Sequence, residues 1–167
     1  MKVLLAIALS FVLSASFGQD VEKQKAAIDA VVERISKLKE AKTESFTIQA
    51  KKKVLHDISY QYLEGAGGYV KISRSFSHKN DSIHQEFYLK GGSLIYANET
   101  IVSYFTGNGT NDSIAWSGGF YFANGKLIDH ISLGHGKSEE ESWDPEKEML
   151  MAFNEAKRDV GRYKRNK

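Results

Sequence analysis

The spacing of apolar residues along the chain changes twice, and each change marks a boundary between predicted elements. Between residues 20 and 40 they recur every three or four positions, which predicts an amphipathic helix. Over residues 44–133 apolar and polar residues alternate, as in half-buried antiparallel strands. A second helix is predicted over residues 144–163, with Asp144 as its N-cap and Pro145 at its first position.

The predicted strand region contains a duplicated segment. Asn-Asp-Ser-Ile occurs at residues 80–83 and again at 111–114, and each copy leads into an aromatic run, a turn and an apolar run. The turns are Gly-Gly at residues 91–92 and Asn-Gly at 124–125, dipeptides that favour two-residue hairpins because they accept positive φ. The chain therefore contains a repeated β-hairpin.

Two-residue turns at these positions predict the register of each hairpin. Tyr88 would face Ile95 in the first copy, and Tyr121 would face Ile128 in the second. The same count opposes Leu89 to Leu94, Glu86 to Ala97, Phe122 to Leu127 and Gly119 to His130. One sheet face then carries Ile83, Phe87, Leu89, Leu94, Ile114, Trp116, Phe120, Phe122, Leu127 and Ile131. The other face carries the two Tyr–Ile pairs with His84 and His130, so we expect a helix or a partner to cover it.

These elements predict an α+β fold with an N-terminal helix, an antiparallel meander of about seven strands and a C-terminal helix, both helices packing on the sheet. The alternative is a lipocalin-like up-and-down barrel around an apolar ligand. An enclosed apolar cavity lined by Phe87, Trp116 and Phe120 would support the barrel. Packing of these side chains under a helix would exclude it.

Residues 1–18 have the features of a cleavable signal peptide. Lys2 precedes an apolar run that ends at Leu13, and small residues follow where a signal peptidase requires them. The run is shorter than the roughly 20 apolar residues of a transmembrane helix. We therefore expect one domain, residues 19–167, that is secreted or periplasmic. The chain has no cysteine, which excludes a lipid anchor on cysteine and any disulfide.

Asn-x-Ser/Thr sequons begin at Asn80, Asn98, Asn108 and Asn111. They would be glycan acceptors in a eukaryotic secretory pathway. Because Asn, Asp, Ser and Thr are also common turn residues, we interpret these sites as turn chemistry.

The charge balance gives little reason to expect nucleic acid as a partner. The chain has 23 basic and 21 acidic residues, and loss of the signal peptide removes only Lys2, so the mature protein is nearly neutral. Residues 157–167 are the exception, because they are strongly basic. They fit either a solvated helix end whose cations complement the helix dipole or a contact with an anionic partner.

No catalytic, cofactor-binding or metal-binding residues are predicted. Residues 134–138 are similar to the end of a P-loop, but Ile131 stands where the first glycine is required. The five histidines form no HExxH motif, and no Gly-x-Ser-x-Gly nucleophile elbow is present. The sequence therefore favours a protein that is not an enzyme.

Residues 119–128, Gly-Phe-Tyr-Phe-Ala-Asn-Gly-Lys-Leu-Ile, resemble the YF-x-NGKL hairpin units of small exported bacterial proteins with MORN-like repeats. Such units also occur in proteins described as antitoxins of toxin–antitoxin type. The resemblance implies a binding or structural role and brings no active-site residues with it.

We therefore expect an exported, non-catalytic interaction domain. Its binding surface is predicted on the less apolar sheet face, where a protein, a glycan or another envelope component would contact it. This predicted surface consists of Tyr88, Ile95, Tyr121 and Ile128, with His84 and His130 at its margin. A lipocalin-like carrier of a small apolar ligand is the alternative, and a secreted hydrolase is a third option for which no nucleophile or metal motif is found.

Overall fold

The computed structural model describes residues 20–38, 42–48, 58–65, 68–103, 113–134 and 136–167. The predicted signal peptide, residues 1–18, lies outside these ranges, as do Asn108 and Asn111. Residues 20–36 form helix α1, and Pro145–Arg165 form helix α2. The strands are β1 (Lys42–Ile48), β2 (Ile58–Gly65), β3 (Gly68–His78), β4 (Asp81–Lys90), β5 (Ser93–Ser103), β6 (Ser113–Ala123) and β7 (Lys126–Gly134). A short 3₁₀ helix, Lys137–Glu139, lies between β7 and α2.

The strands form one antiparallel sheet whose order follows the chain from β1 to β7. This arrangement confirms the predicted α+β fold of helix, meander and helix. Among the described strands, β1 pairs with β2 alone and β7 with β6 alone, so these seven strands form an open sheet. The barrel predicted as the alternative is therefore wrong.

Helix α2 begins where the sequence predicts. The Asp144 carboxylate accepts a hydrogen bond from the backbone N–H of Lys147 at 2.9 Å, and Pro145 is the first helical residue. The last turn is basic, as the helix dipole favours. Part of this basic end contacts the sheet, because Lys164 forms an ion pair with Glu64 of β2.

The main core lies between α2 and the sheet. The buried residues of α2 are Met149, Ala152, Phe153, Ala156 and Val160. Phe87 packs on Phe153 with ring centroids 5.8 Å apart. Trp116 and Phe120 pack against Trp143, just before the helix, at 5.9 and 6.2 Å. Phe87, Trp116 and Phe120 therefore lie under helical and aromatic cover, which is the outcome that argues against a lipocalin-like cavity.

Both hairpin turns of the repeat have positive φ at their two central residues, as a type I′ turn requires. The predicted pairs that flank the turns are confirmed. Leu89 lies opposite Leu94, and Phe122 lies opposite Leu127.

The first hairpin departs from its predicted register one residue farther from the turn. Ile95 is an extra residue on β5 that forms a β-bulge, so Tyr88 lies opposite Tyr96. The predicted pair Tyr88–Ile95 is therefore wrong. Glu86 likewise lies opposite Asn98, one residue beyond its predicted partner.

The second hairpin repeats the same bulge. Ile128 is the extra residue on β7, so Tyr121 lies opposite Asp129 and the predicted pair Tyr121–Ile128 is wrong. Because side chains alternate between faces, a shift of one residue exchanges the faces of all residues that follow. His130 therefore lies on the core face, and Ile131, which was predicted there, lies exposed on the opposite face.

Helix α1 packs on the side of the sheet opposite α2. Its residue Asp29 contacts Tyr121, whose chain neighbours Phe120 and Phe122 both belong to the core under α2. Since successive strand residues point to opposite faces, the two helices lie on different sides. The prediction that both helices pack on the sheet is confirmed, and we call the two sides the α1 face and the α2 face.

Candidate functional site

Three tyrosines form a row across the α1 face, and two of them belong to the predicted binding surface. Tyr88, Tyr96 and Tyr121 lie opposite one another on β4, β5 and β6. Their ring centroids are 5.8 and 5.0 Å apart, within the range of favourable aromatic contacts. Gly119 makes room for the middle ring, because a Cβ there would lie 2.6 Å from the Tyr96 hydroxyl oxygen. We call these tyrosines the tyrosine row.

Helix α1 covers the tyrosine row. The Tyr121 hydroxyl donates a hydrogen bond to the Asp29 carboxylate at 3.1 Å. Burial, together with this carboxylate, raises the pKa of Tyr121 to about 12. Lys25 forms an ion pair with Asp129 at 2.6 Å and lies 5.5 Å from the Tyr121 ring centroid. Tyr88 and Tyr121 are 5% and 8% exposed, so the chain's own helix, rather than a partner, covers this part of the predicted surface.

Ile95 and Ile128 occupy the two bulges and are half-buried. Ile95 borders a groove of about 350 Å³ between α1 and the two hairpin turns. Ile28 and Val31 of α1 and Phe122 of β6 also line the groove. The two isoleucines therefore lie near the hairpin turns and not opposite the tyrosines.

His130 does not lie at the margin of the tyrosine row. On the α2 face its ring stacks on Phe120 at 6.3 Å and meets Trp143 edge to face at 5.5 Å. The predicted grouping of His130 with His84 is wrong, because the bulge at Ile128 places the two histidines on opposite faces.

His84 remains on the α1 face and is accessible, with a side chain that is 46% exposed. Its Nδ1 lies 2.8 Å from Ser75 Oγ, and its Nε2 lies 3.6 Å from Glu86 Oε1, too far for a hydrogen bond but close enough for an ion pair. The same carboxylate contacts Lys71 at 2.5 Å and the Tyr88 hydroxyl at 3.1 Å. His84, Lys71 and Tyr88 lower the pKa of Glu86 to about 2, against its partial burial. Glu86 is therefore ionised at neutral pH.

A pocket of about 400 Å³ opens beside His84. Among the described side chains that line it from the α1 face, those other than the histidine all carry hydroxyl groups, namely Ser45, Thr47, Ser59, Ser73 and Ser75. We call these five residues and His84 the hydroxyl pocket. No sequence motif marks this pocket, because its members come from four different strands.

The strand register explains why hydroxyl groups collect there. Thr47, Ser59, Ser75 and His84 lie opposite one another on β1 to β4. The same row continues through Thr100 and Ser117 to Leu133, which is 72% exposed. We call the row from Thr47 to Ser117 the hydroxyl row. It extends the polar surface beyond the pocket, across six strands of the sheet.

Ser75, His84 and Glu86 are residue types that occur in nucleophilic relays, but their setting does not favour acyl transfer. Ser75 lies inside β3 and pairs with Ser59 on one side and with His84 on the other. An oxyanion hole needs donors directed at a reacting oxygen beside the nucleophile, and ladder pairing uses the backbone N–H groups of a central strand. The arrangement is suited to hydrogen bonding with a bound ligand instead.

The α2 face holds a buried polar row that the sequence analysis missed. Arg74, Gln85 and Glu99 lie opposite one another on β3, β4 and β5 and are 6%, 3% and 1% exposed. Arg74 Nε donates to Gln85 at 2.6 Å, and Gln85 donates to Glu99. The row reaches α2 through an ion pair between Arg74 and Glu155 at 2.9 Å. Lys137 closes its other end, 2.5 Å from Glu99.

We interpret the polar row as the feature that sets the position of α2. Each member is paired, and a buried ion pair adds little net stability although loss of one partner is costly. A cleft of about 600 Å³ borders the row, and Arg74, Lys137 and Glu155, which line it, are engaged in these pairs. The signal was present in the sequence, since Gln85 is two residues before the core residue Phe87 and therefore has the core phase of β4.

Trp116 has a buried indole N–H with no hydrogen-bond partner among the described residues. Lys137 Nζ lies 5.7 Å from its ring centroid, and the Trp143 ring meets it edge to face. Gly118 is required beside it, because a Cβ there would lie 2.5 Å from the Trp116 ring. The segment between β7 and α2 is thus attached to the sheet through contacts of Lys137 and Trp143.

Within the ranges that the structure describes, no group of three or more His, Asp or Glu side chains is placed to hold a metal ion. None of the helices described is both long and apolar enough to cross a membrane. Comparison of the chain with protein-family models gives no match, and no curated protein or solved structure matches it either. The arguments for function therefore rest on the geometry of the candidate site.

Proposed function

We propose that this protein is an exported, non-catalytic binding domain that contacts its partner through the uncovered part of the α1 face. The observation that supports this most is the division of that face. Helix α1 lies over the tyrosine row, whereas the hydroxyl pocket beside it stays open and His84 is nearly half exposed. A pocket with several hydrogen-bonding groups at defined positions is a typical recognition site.

The residues of the predicted surface take different roles in this proposal. Tyr121 joins the sheet to α1 through Asp29, and Tyr88 is buried beside Tyr96. His84 belongs to the binding site. Glu86 supports His84 from the same strand, because it is ionised and lies 3.6 Å from the imidazole. The partner is a protein, a glycan or another envelope component. Nucleic acid is not expected, since the mature chain is nearly neutral.

Export is proposed from residues 1–18, whose short basic start, apolar run and small residues match a cleavable signal. Fractionation of producing cells followed by N-terminal sequencing tests this part. We expect a mature chain that begins at Phe17 or Gln19 in the periplasm or the medium. A full-length chain that stays in the cytoplasm would contradict export.

Binding is tested with the fluorescently labelled mature chain and the isolated cell envelope of the producing organism. We compare wild type with the double variant Ser75→Ala/His84→Ala, which alters the hydroxyl pocket. Ser138→Ala is the matched control, because Ser138 is exposed on the connection between β7 and α2. Saturable binding that falls in the double variant and is retained in the control is expected. Equal binding by all three proteins, or none by wild type, would refute the proposal.

A further inference from the structure

We infer that the hydroxyl pocket binds an uncharged oligosaccharide, an inference that rests on the proposed binding function and names its ligand. The pocket has a volume of about 400 Å³, and the described side chains that line it from the α1 face carry five hydroxyls and one imidazole. A hydroxyl group donates one hydrogen bond and accepts two, and the hydroxyl groups of a sugar have the same capacity. The pocket is therefore matched to a ligand that consists largely of hydroxyl groups.

Other ligand classes fit this pocket less well. Among the described residues, Lys71, next to Ser73 on the same face, is engaged by Glu86 at 2.5 Å, and Arg74, which also lines the pocket, pairs with Glu155 on the α2 face. An anionic ligand would have to compete with these carboxylates for the cations. An apolar ligand would remove water from the hydroxyl groups without replacing its hydrogen bonds, which is unfavourable.

The dimensions favour an oligosaccharide over a single sugar. The hydroxyl row passes from Ser59 on β2 through His84 and Thr100 to Ser117 on β6. Four strand spacings of about 4.8 Å give a length of about 19 Å, which accommodates several sugar units. Beyond Ser117 the row ends at the exposed Leu133, an apolar surface on which the C–H face of a sugar ring can pack.

His84 is oriented before any ligand binds. Ser75 Oγ lies 2.8 Å from Nδ1, and the Glu86 carboxylate lies near Nε2 on the other side of the ring. A side chain that is already ordered loses less conformational freedom on binding. The imidazole therefore provides a fixed polar group at the end of the pocket nearest to the rest of the row.

The test is an NMR titration of the ¹⁵N-labelled mature chain with the neutral tetrasaccharides chitotetraose, cellotetraose and maltotetraose. We expect saturable shifts in β2 to β6 with at least one of them. Ser59→Ala and Thr100→Ala should each raise the dissociation constant by about 3- to 10-fold, the value of one lost hydrogen bond. Ser138→Ala should leave it unchanged. Ser59 is exposed, so its replacement is not expected to disturb folding.

Two results would overturn the inference. One is the absence of saturable shifts with all three tetrasaccharides. The other is binding that Ser59→Ala and Thr100→Ala weaken no more than Ser138→Ala does.

A second arm separates failure of this inference from failure of the proposed function. The envelope fraction is treated with periodate, which cleaves sugar rings that carry vicinal hydroxyl groups, or with protease before the labelled chain is added. Loss of binding after periodate alone supports the oligosaccharide. Loss after protease alone overturns it but leaves the binding function standing, with a protein as partner. No binding to the untreated fraction contradicts the proposed function itself.

Discussion

The α2 face and the α1 face are each covered by an amphipathic helix, but different kinds of contact hold the two helices to the sheet. Helix α2 buries five residues against a continuous core that is rich in aromatic side chains. On the other side, the buried apolar residues of α1 are Ile28 and Ile35, and hydrogen bonds such as that between Asp29 and Tyr121 supply further contacts. Apolar burial contributes more to stability than partly exposed polar contacts do, so the α2 side should be the more stable one.

The polar side chains of the two faces also differ in their burial and in their hydrogen bonding. The polar row of Arg74, Gln85 and Glu99 is sealed from water and fully paired on the α2 face. The hydroxyl pocket on the α1 face opens to solvent. The α2 face therefore contains most of the buried core, and the open polar surface lies on the α1 face, where we propose that binding occurs.

The largest expected effect comes from a matched pair of isoleucine truncations. Ile72 is completely buried on the α2 face. The Ile72→Ala substitution should lower the free energy of unfolding by about 4 kcal/mol, because the tightly packed core cannot fill the cavity. Ile28→Ala, on the buried side of α1, should cost about 2 kcal/mol, since this helix can adjust its position. Urea denaturation of the two mature variants measures both values. Equal losses would contradict the proposed difference between the covers.

Removal of Glu99 should have the next largest effect. Glu99→Ala is expected to cost about 3 kcal/mol, because it leaves Gln85 without its buried acceptor and Lys137 with Glu148 as its remaining partner. Glu140→Ala, on the exposed connection, is the control and should change stability by less than about 0.5 kcal/mol. The double variant Glu99→Met/Lys137→Met should recover part of the loss, because it removes the Lys137 charge while Gln85 stays without its acceptor. If it remains as unstable as Glu99→Ala, the row stabilises the fold directly and does not merely position α2.

Acid should lower the stability of the fold by protonating Glu86 on the α1 face. Its pKa is about 2 in the folded protein, below the ordinary value of 4.5, so the ionised form stabilises the fold. This contribution is complete above about pH 4.5 and is lost as the pH falls towards 2. Because the side chain is 24% exposed, we expect about 1 to 2 kcal/mol rather than the full value of the shift. Glu86→Gln should show a flatter loss of stability over this interval, and identical slopes would contradict the assignment.

The smallest effect is predicted for loss of the hydrogen bond that joins α1 to the sheet. Tyr121→Phe removes the hydrogen bond to Asp29 and should cost about 1 kcal/mol. A double-mutant cycle with Asp29→Ala should give a coupling energy of similar size. Relative to wild type, the Tyr121→Phe variant should show a larger increase in the hydrogen-exchange rate of α1 than in that of α2. Equal acceleration in both helices would mean that the bond supports the whole fold and not α1 alone.

The two hairpins show where sequence reasoning succeeds and where it stops. The dipeptides at residues 91–92 and 124–125 predicted type I′ turns correctly, because positive φ is a local property. The bulges at Ile95 and Ile128 were not predicted, since isoleucine fits either face of a strand. One extra residue in each hairpin then changed the partner of each tyrosine and the face of His130.

The candidate site was only partly foreseen for the same reason. His84 was placed on the correct face, because no bulge separates it from Tyr88 on β4. Ser59 and Ser75 were not predicted as site residues, since an isolated serine in a strand belongs to no motif. Their importance depends on being opposite one another and beside His84.

The sequence by itself determined the types and order of the elements, the cap of α2 and the turns of the repeat, because these depend on residues within a few positions of one another. Only the tertiary structure decided the bulged registers, the cover of the tyrosine row by α1, the burial of Glu99 and the collection of hydroxyl groups around His84. Each of these depends on contacts between residues distant in the chain, and the alternation of side chains along a strand leaves such contacts undetermined until the register is known.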